Sequence, residues 1–230
     1  MGENTLIKTE QLVKKFPAGN GFFTALKDID LTLKKGEFTG LVGPSGSGKT
    51  TLLNILGALD DPSEGEAIVL NHNIGELSHK EAAKLRNLHF GFIFQTYNLL
   101  PVYTVYENVE FPLLLQNISS AKRDKMVKRA LDWVGIMDKI KSRPAQLSGG
   151  ECQRVAIARA MVKEPEVVFA DEPTANLDAE NSHNVLKTMV NLNEEVGTTF
   201  LFATHDQKVI QYLQRIITLR DGKVAKDETA

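Results

Sequence analysis

The chain has 230 residues, 42% hydrophobic and 24% charged, with a formal net charge of −2. This is the balance of a globular protein able to bury one substantial core, or a core with a subdomain, and a near-neutral charge without a basic stripe argues against nucleic acid as a partner. The single cysteine, Cys152, excludes an intramolecular disulfide and fits a reducing compartment.

The opening "MGENTLIKTE" is polar and lacks the apolar run of a signal peptide. Gly2 followed by Thr5 misses the N-myristoylation spacing, which needs the hydroxyl residue at the sixth position. "TLIKTEQLVKKF" and "FTALKDIDLTLKKGE" alternate apolar and polar residues as half-buried strands do, and "FTGLVG" reads as a short buried strand. Glycines then break the strand, and "KTTLLNILGAL" follows with helical spacing. "PSEGEAIVLNHNI" reads as a turn and another strand. From "SHKEAAKLRNL" to about residue 160 the pattern is mainly helical, most clearly in "SSAKRDKMVKRALDWVGI". Strand-like runs return at "EVVFA", "TTFLFA" and "RIITL", separated by the helical patterns "DAENSHNVLKTMVNLNEE" and "DQKVIQYL". The alternation predicts an α/β sheet interrupted by a helical insert, within one lobed domain. Apolar runs such as "FPLLL" fall far below the roughly 18 residues of a membrane helix, so any span must come from another chain.

"GPSGSGKT" (Gly43, Pro44, Ser45, Gly46, Ser47, Gly48, Lys49, Thr50) fits the phosphate-loop pattern G-x-x-x-x-G-K-[ST], with a strand before it and a helix after. Gly46 and Gly48 let the backbone wrap the phosphates, Lys49 reaches the β- and γ-phosphates, and the Thr50 hydroxyl is a ligand for Mg²⁺. "EVVFADEPT" supplies the acidic complement. A short apolar strand delivers Asp171 and Glu172 at its end, where α/β sheets bind ligands. Asp171 is suited to hold Mg²⁺ through water, and Glu172 to act as general base toward an attacking water. Gln95 ends "GFIFQ" and His205 follows "FLFAT", so both belong at the same sheet edge. Gln95 could contact Mg²⁺ or the water, and His205 could donate to the γ-phosphate. "LSGGECQRVAIARA" (residues 147–160) adds a second turn-to-helix N-terminus with the makings of an anion site.

Taken in order, these motifs resemble the nucleotide-binding subunit of an ATP-binding-cassette (ABC) transporter across essentially the whole chain: the phosphate loop, Gln95, "LSGGE" at 147–151, "VVFADE" at 167–172, "NLD" at 176–178 and His205. The resemblance implies a P-loop NTPase (RecA-like) core with an N-terminal antiparallel β-subdomain and a helical insert carrying the signature motif. The boundaries are 1–95 and 163–230 for the core with its β-subdomain, and 96–162 for the helical subdomain. It implies ATP and Mg²⁺ as cofactors, with Thr51 beside Thr50 in the nucleotide site, Phe16 stacking on the adenine, and catalytic roles for Lys49, Gln95, Glu172 and His205. It also implies a head-to-tail homodimer. Ser148, Gly149 and Gly150 of one subunit cover the nucleotide held by the other, and Asp178 is a dimer contact.

"FPAGNGFFTALKDI" and "FGFIFQTYNLLPVYTVYENVEFPLL" look like the group containing the lipoprotein-release (LolD) and macrolide-export (MacB) ATPases. This implies a peripheral subunit on the cytoplasmic face of the cell membrane that powers a separate permease, for export or release of a lipid-linked or hydrophobic substrate. An FtsE-like ATPase transmitting force without transport is the alternative. The chain ends about ten residues after "RIITLRDG", which leaves no room for the regulatory domain of many sugar importers. Cys152, Ala175 and Thr50 stand where the group usually has Gln or Arg, Gly, and Ser. Tyr97, Tyr103 and Tyr106 cluster with Leu99, Leu100 and Val102, an aromatic enrichment that suits an interface, so the permease is expected to dock near Tyr97–Phe111. The competing reading is that these tyrosines fill the core of the insert.

Overall fold

The computed structural model describes residues 4–229; the Gly2 position weighed for lipidation lies outside them. The N-terminal third is built on a long ribbon, β1 (Thr5–Ala18) and β2 (Gly21–Lys34), followed by β3 (Phe38–Val42), α1 (Lys49–Leu56), β4 (Glu64–Val69) and β5 (His72–Asn73). The middle is α2 (His79–His89), β6 (Phe90–Phe94), α3 (Val105–Leu114), α4 (Ser120–Trp133) and α5 (Gly149–Met161). The C-terminal part is β7 (Val167–Asp171), α6 (Ala179–Val196), β8 (Thr199–Thr204), α7 (Gln207–Ile210), β9 (Arg215–Arg220) and β10 (Lys223–Thr229).

Two sheets result. The antiparallel one has the order β2-β1-β4-β5, and the second has the order β10-β9-β3-β8-β7-β6. In the second sheet β9, β3, β8, β7 and β6 run parallel, and β10 closes the edge antiparallel to β9. The architecture is the α/β phosphate-loop fold with an antiparallel β-layer and a helical region that the resemblance implies. Helix α1 lies between the sheets. Leu52, Leu53, Ile55 and Leu56 pack with Leu26 and Ile29 of the ribbon and with Leu41, Phe169 and Leu201 of the parallel sheet. On the opposite face Phe38, Ile93, Val168, Phe200 and Phe202 meet residues of α3, α4, α5 and α6. Phe38 contacts the Phe202 ring with centroids 4.7 Å apart. Because both faces of β7 and β8 are covered, these strands read as continuous apolar runs with no alternation.

The helix starts are chemically determined. Ser78 with Glu81, Thr104 with Glu107 and Ser148 with Glu151 form reciprocal capping boxes at α2, α3 and α5. Two elements differ from the sequence expectation. "DQKVIQYL" gives only the four residues of α7. Beyond it the amides of Tyr212 and Leu213 donate three residues back, to Val209 and Ile210, and Leu213 turns inward onto β3, where a Cβ on Gly40 would lie 2.2 Å from its Cδ1. Strand β10 was not expected. It arises from Asp221-Gly222, whose φ angles of 51° and 79° make a two-residue turn of the hairpin type.

Candidate active site

The phosphate loop lies between β3 and α1, and its conformation depends on glycine. Gly48 caps α1 at φ 102° with no side-chain cap, which leaves the first-turn amides for an external acceptor. A Cβ at Gly48 would come within 2.9 Å of the Ala25 carbonyl. Lys49 is buried, and its ammonium spans the loop, donating to the carbonyls of Gly43 at 2.8 Å and Pro44 at 3.1 Å. Pro44, Ser45 and Gly46 are exposed on the rim, while Ser47 Oγ is buried without a hydrogen-bond partner. An orphaned hydroxyl, unpaired amides and a lysine held only by backbone carbonyls fit a triphosphate ligand. Phe16 lines the same cleft as Gly46, Gly48, Lys49, Thr50 and Thr51.

The acidic side of the site comes from β7 and β8. Asp171 ends β7, and its Oδ1 accepts from the Thr50 hydroxyl at 3.1 Å. Burial pushes the Asp171 carboxyl above its ordinary range, partly offset by the Thr50 hydrogen bond. A carboxylate and a hydroxyl juxtaposed in this way suit a divalent cation. No group of three or more His, Cys, Asp or Glu side chains poised for a metal exists among the described residues, so phosphate oxygens and water would have to complete its shell. Glu172 follows at φ 46°, an unusual backbone state for a non-glycine residue. Its amide donates to the Ala203 carbonyl. Its carboxylate meets His205 Nδ1 at 2.6 Å and accepts from the Thr204 hydroxyl at 3.1 Å. Adjacent parallel strands thus bring Asp171, Glu172 and His205 to one edge, beside the phosphate loop at the end of β3. Gln95, one residue past β6, lies at that edge too, exposed, with its carbonyl accepting from Asn176.

The family model for ABC transporters matches residues 26–175, well over half of the chain. The chain belongs to the ABC transporter family. This ABC cassette is 41% identical over 225 residues to the lipoprotein-releasing system ATP-binding protein LolD of Idiomarina loihiensis, covering 98% of this chain and 99% of that one. It is 44% identical over 227 residues to the macrolide export ATP-binding/permease protein MacB of Bartonella henselae, where it covers 99% of this chain but only 34% of the relative's length. Among solved structures, the dimeric post-hydrolysis state of the cassette MJ0796 bound to ADP and phosphate superposes with a TM-score of 0.90 at 40% identity, covering 97% of this chain and 98% of that one. The protein is thus an ATPase cassette of the LolD/MacB branch.

The signature helix α5 of the cassette is fastened to this edge from behind. Ser148 and Gly149 are exposed at its start, while Gly150 is buried. A Cβ on Gly150 would sit 2.3 Å from the Asn181 side-chain oxygen, and Asn181 is itself held by Asp178, the N-cap of α6. Gln153, fully buried, donates to the Pro173 carbonyl at 2.6 Å and so joins α5 to the turn after Glu172. Burial pushes the Cys152 thiol up, and its Sγ lies 3.7 Å from the Pro144 carbonyl.

The tyrosine cluster does not form one surface and is divided between the two readings given from sequence. Tyr97 is half-buried, its hydroxyl 3.0 Å from where a Gly149 Cβ would be, and its carbonyl accepts from Arg159 of α5. Tyr106 packs on the core of the helical region. Only Tyr103 is open, in ring contact with Phe111 at 6.4 Å. The exposed apolar residues here are Leu100, Val102 and Tyr103 of that cluster, together with Phe111, Leu114 and Leu115. Reading the motifs missed Thr204, Gln153 and Asn181, and also Thr174, whose hydroxyl donates to Asp206 Oδ2 at 3.1 Å beside His205. The polar run closing "FLFATHD" was the available signal for Thr204. No helix among the described residues is long and apolar enough to cross a membrane.

Proposed function

We propose that this cassette hydrolyses ATP as a homodimer and thereby drives a membrane permease of the lipoprotein-release or macrolide-export kind. The cargo is taken to be lipid-linked or hydrophobic, and the cassette to sit peripherally on the cytoplasmic face of the membrane. The observation that carries the catalytic part is the convergence of the phosphate loop, Asp171, Glu172 and His205 on one sheet edge, with the base and the histidine 2.6 Å apart. The names of LolD and MacB support the transport part. The domain division is residues 1–95 and 163–230 for the core with its β-layer, and 96–162 for the helical subdomain.

In this reading the amides of Gly46 to Thr51 and the Lys49 ammonium hold the phosphates, and Phe16 stacks on the base. Thr50, Asp171 (through water) and Gln95 would hold Mg²⁺, which draws charge from the phosphates when bound. Glu172 accepts a proton from the attacking water while Thr204 and His205 fix its carboxylate. His205 donates from Nε2 to the γ-phosphate. If Nδ1 stays on Glu172, the ring must then carry both protons. Ser148, Gly149 and Gly150 cover the nucleotide of a second subunit through the Ser148 hydroxyl and the first-turn amides of Gly149 and Gly150, since the Ser148 amide is tied to the Glu151 carboxylate, and Asp178 contributes to that contact. The dimeric form of MJ0796 supports this arrangement. Tyr97 and Arg159 link the segment after Gln95 to α5, so nucleotide occupancy and signature position share one mechanical connection. The permease docks on the face exposing Val102, Tyr103 and Phe111.

Glu172→Gln tests the assignment. The carboxylate serves the water and not the phosphates, so the variant should bind Mg·ATP, almost cease turnover and accumulate as a dimer in light scattering. Turnover at the wild-type rate would remove Glu172 from the role of base.

A further inference from the structure

The tip of the β1–β2 ribbon carries an aromatic residue that no motif accounts for. Phe16 on β1 and Phe23 on β2 are cross-strand partners in the antiparallel register. Directly opposed residues of such a ribbon project from the same face. Both line the cleft of about 220 Å³ whose floor is Gly46, Gly48, Lys49 and Thr50. Phe16 is 38% exposed and Phe23 58% exposed, so the two rings offer apolar surface directly above the phosphate loop.

Phe16 is not free on all sides. The Lys14 ammonium lies 5.1 Å from its ring centroid, in cation–π range, and is fixed there by Asp60 Oδ1 at 2.6 Å and the Asp61 carbonyl at 2.7 Å. A base entering the cleft therefore meets Phe16 with a cation on part of its surface and the uncommitted ring of Phe23 beside it. Phe22, the next residue along the strand, is paired with Pro17, points to the opposite face and is 72% exposed.

We propose that Phe23 is a second base-binding residue, which with Phe16 forms a two-ring apolar wall for the base of a purine nucleoside triphosphate. This rests on the nucleotide reading of the phosphate loop and Phe16 given above. The wall favours the large surface of a purine over a pyrimidine, and it acts on the base alone, because the phosphates are held by α1 and Lys49. Base contacts of this kind contribute to affinity without altering the chemistry at Glu172.

The test is equilibrium titration of the full chain with Mg·ATP, Mg·CTP and inorganic tripolyphosphate. Phe23→Ala should weaken ATP about tenfold, equivalent to about 1.4 kcal/mol. It should weaken CTP less and leave tripolyphosphate unchanged, with kcat at saturating ATP preserved. Phe23→Tyr should restore ATP affinity, Phe23→Leu should restore it only in part, and Phe22→Ala should match the wild type. Wild-type ATP affinity in Phe23→Ala, alongside loss of ATP and tripolyphosphate in Lys49→Ala, would overturn the role of Phe23 and leave the site reading standing. Equal losses of ATP and tripolyphosphate in both Phe23→Ala and Phe23→Leu would also overturn it, since the ribbon would then act on the loop and not on the base. Retention of both ligands by Lys49→Ala would instead overturn the site reading itself.

Discussion

Thr204→Val isolates the support of the proposed base. Thr204 is fully buried at the end of β8, its hydroxyl donating to Glu172 Oε2 at 3.1 Å and accepting from the Asp206 amide at 3.0 Å. Valine keeps the shape, so no cavity forms. What is lost is a hydrogen bond to a charged group and the partner of a backbone amide, about 2–3 kcal/mol together. For a domain of this size the melting temperature moves roughly 2–4 °C per kcal/mol, so a drop of roughly 4–12 °C is expected by calorimetry. Glu172 would keep only His205, a side chain largely in solvent. A loss of about 1.4 kcal/mol in placing the carboxylate lowers kcat about tenfold, with KM for ATP within about twofold. Thr204→Ser should recover both stability and rate. Wild-type kcat in Thr204→Val, or a fall in rate that merely tracks ATP affinity, would refute this account of how Glu172 is positioned.

Lys163 lies just past α5, and its ammonium donates to the Arg86 and Asn87 carbonyls at 2.7 Å each. Burial holds its pKa down to about 8, against 10.5 for the free side chain. Below the native value both states are protonated and the folded chain carries the desolvation cost. Between the two values the unfolded chain binds the extra proton, so stability rises with pH and then levels. Urea denaturation from about pH 7 to about pH 10.5 should show this rise in the wild type and not in Lys163→Met; an undiminished slope in the variant would assign it elsewhere. Replacing Val102, which is 72% exposed, and Tyr103, 36% exposed, with Glu should abolish co-purification with the permease and spare the isolated ATPase. Intact co-purification would move the docking surface.

The phosphate loop and the acidic strand end were legible because their residue types are dictated by chemistry. Only glycine accepts the backbone state at Gly48, and the roles proposed at 171 and 172 call for acidic side chains. The parallel strands were legible as apolar runs, since both their faces are buried. The orientation of the tyrosines was not. Tyr97, Tyr103 and Tyr106 lie within ten residues, but Tyr97 sits at φ 60° in an irregular turn and Tyr106 is in the first turn of α3. No period relates the three, so their separate destinations depend on α5 and the core. The contacts behind the site were hidden for a similar reason. Thr204 to Glu172, and Gln153 to the Pro173 carbonyl, join segments far apart in the chain through side chains with no motif of their own. The shortness of α7 follows from Leu213 filling the space over Gly40, a tertiary demand that overrides local helical spacing.

A mixture of two inactive variants tests directly whether the signature of one subunit completes the nucleotide site of the other. Lys49→Ala removes the phosphate ligand. Ser148→Arg puts bulk at the exposed start of α5, where Ser148 caps the helix by accepting from the Glu151 amide. Each homodimer should be inactive. In the mixed dimer both defects fall on one composite site. The other site combines the intact loop of the Ser148→Arg chain with the intact signature of the Lys49→Ala chain. ATPase activity should therefore return on mixing, up to about half the wild-type rate per dimer if the sites are independent, together with ATP-driven heterodimer formation. Absence of both, with each variant folded and exchanging partners, would mean that no complete site forms across the interface and would contradict the account.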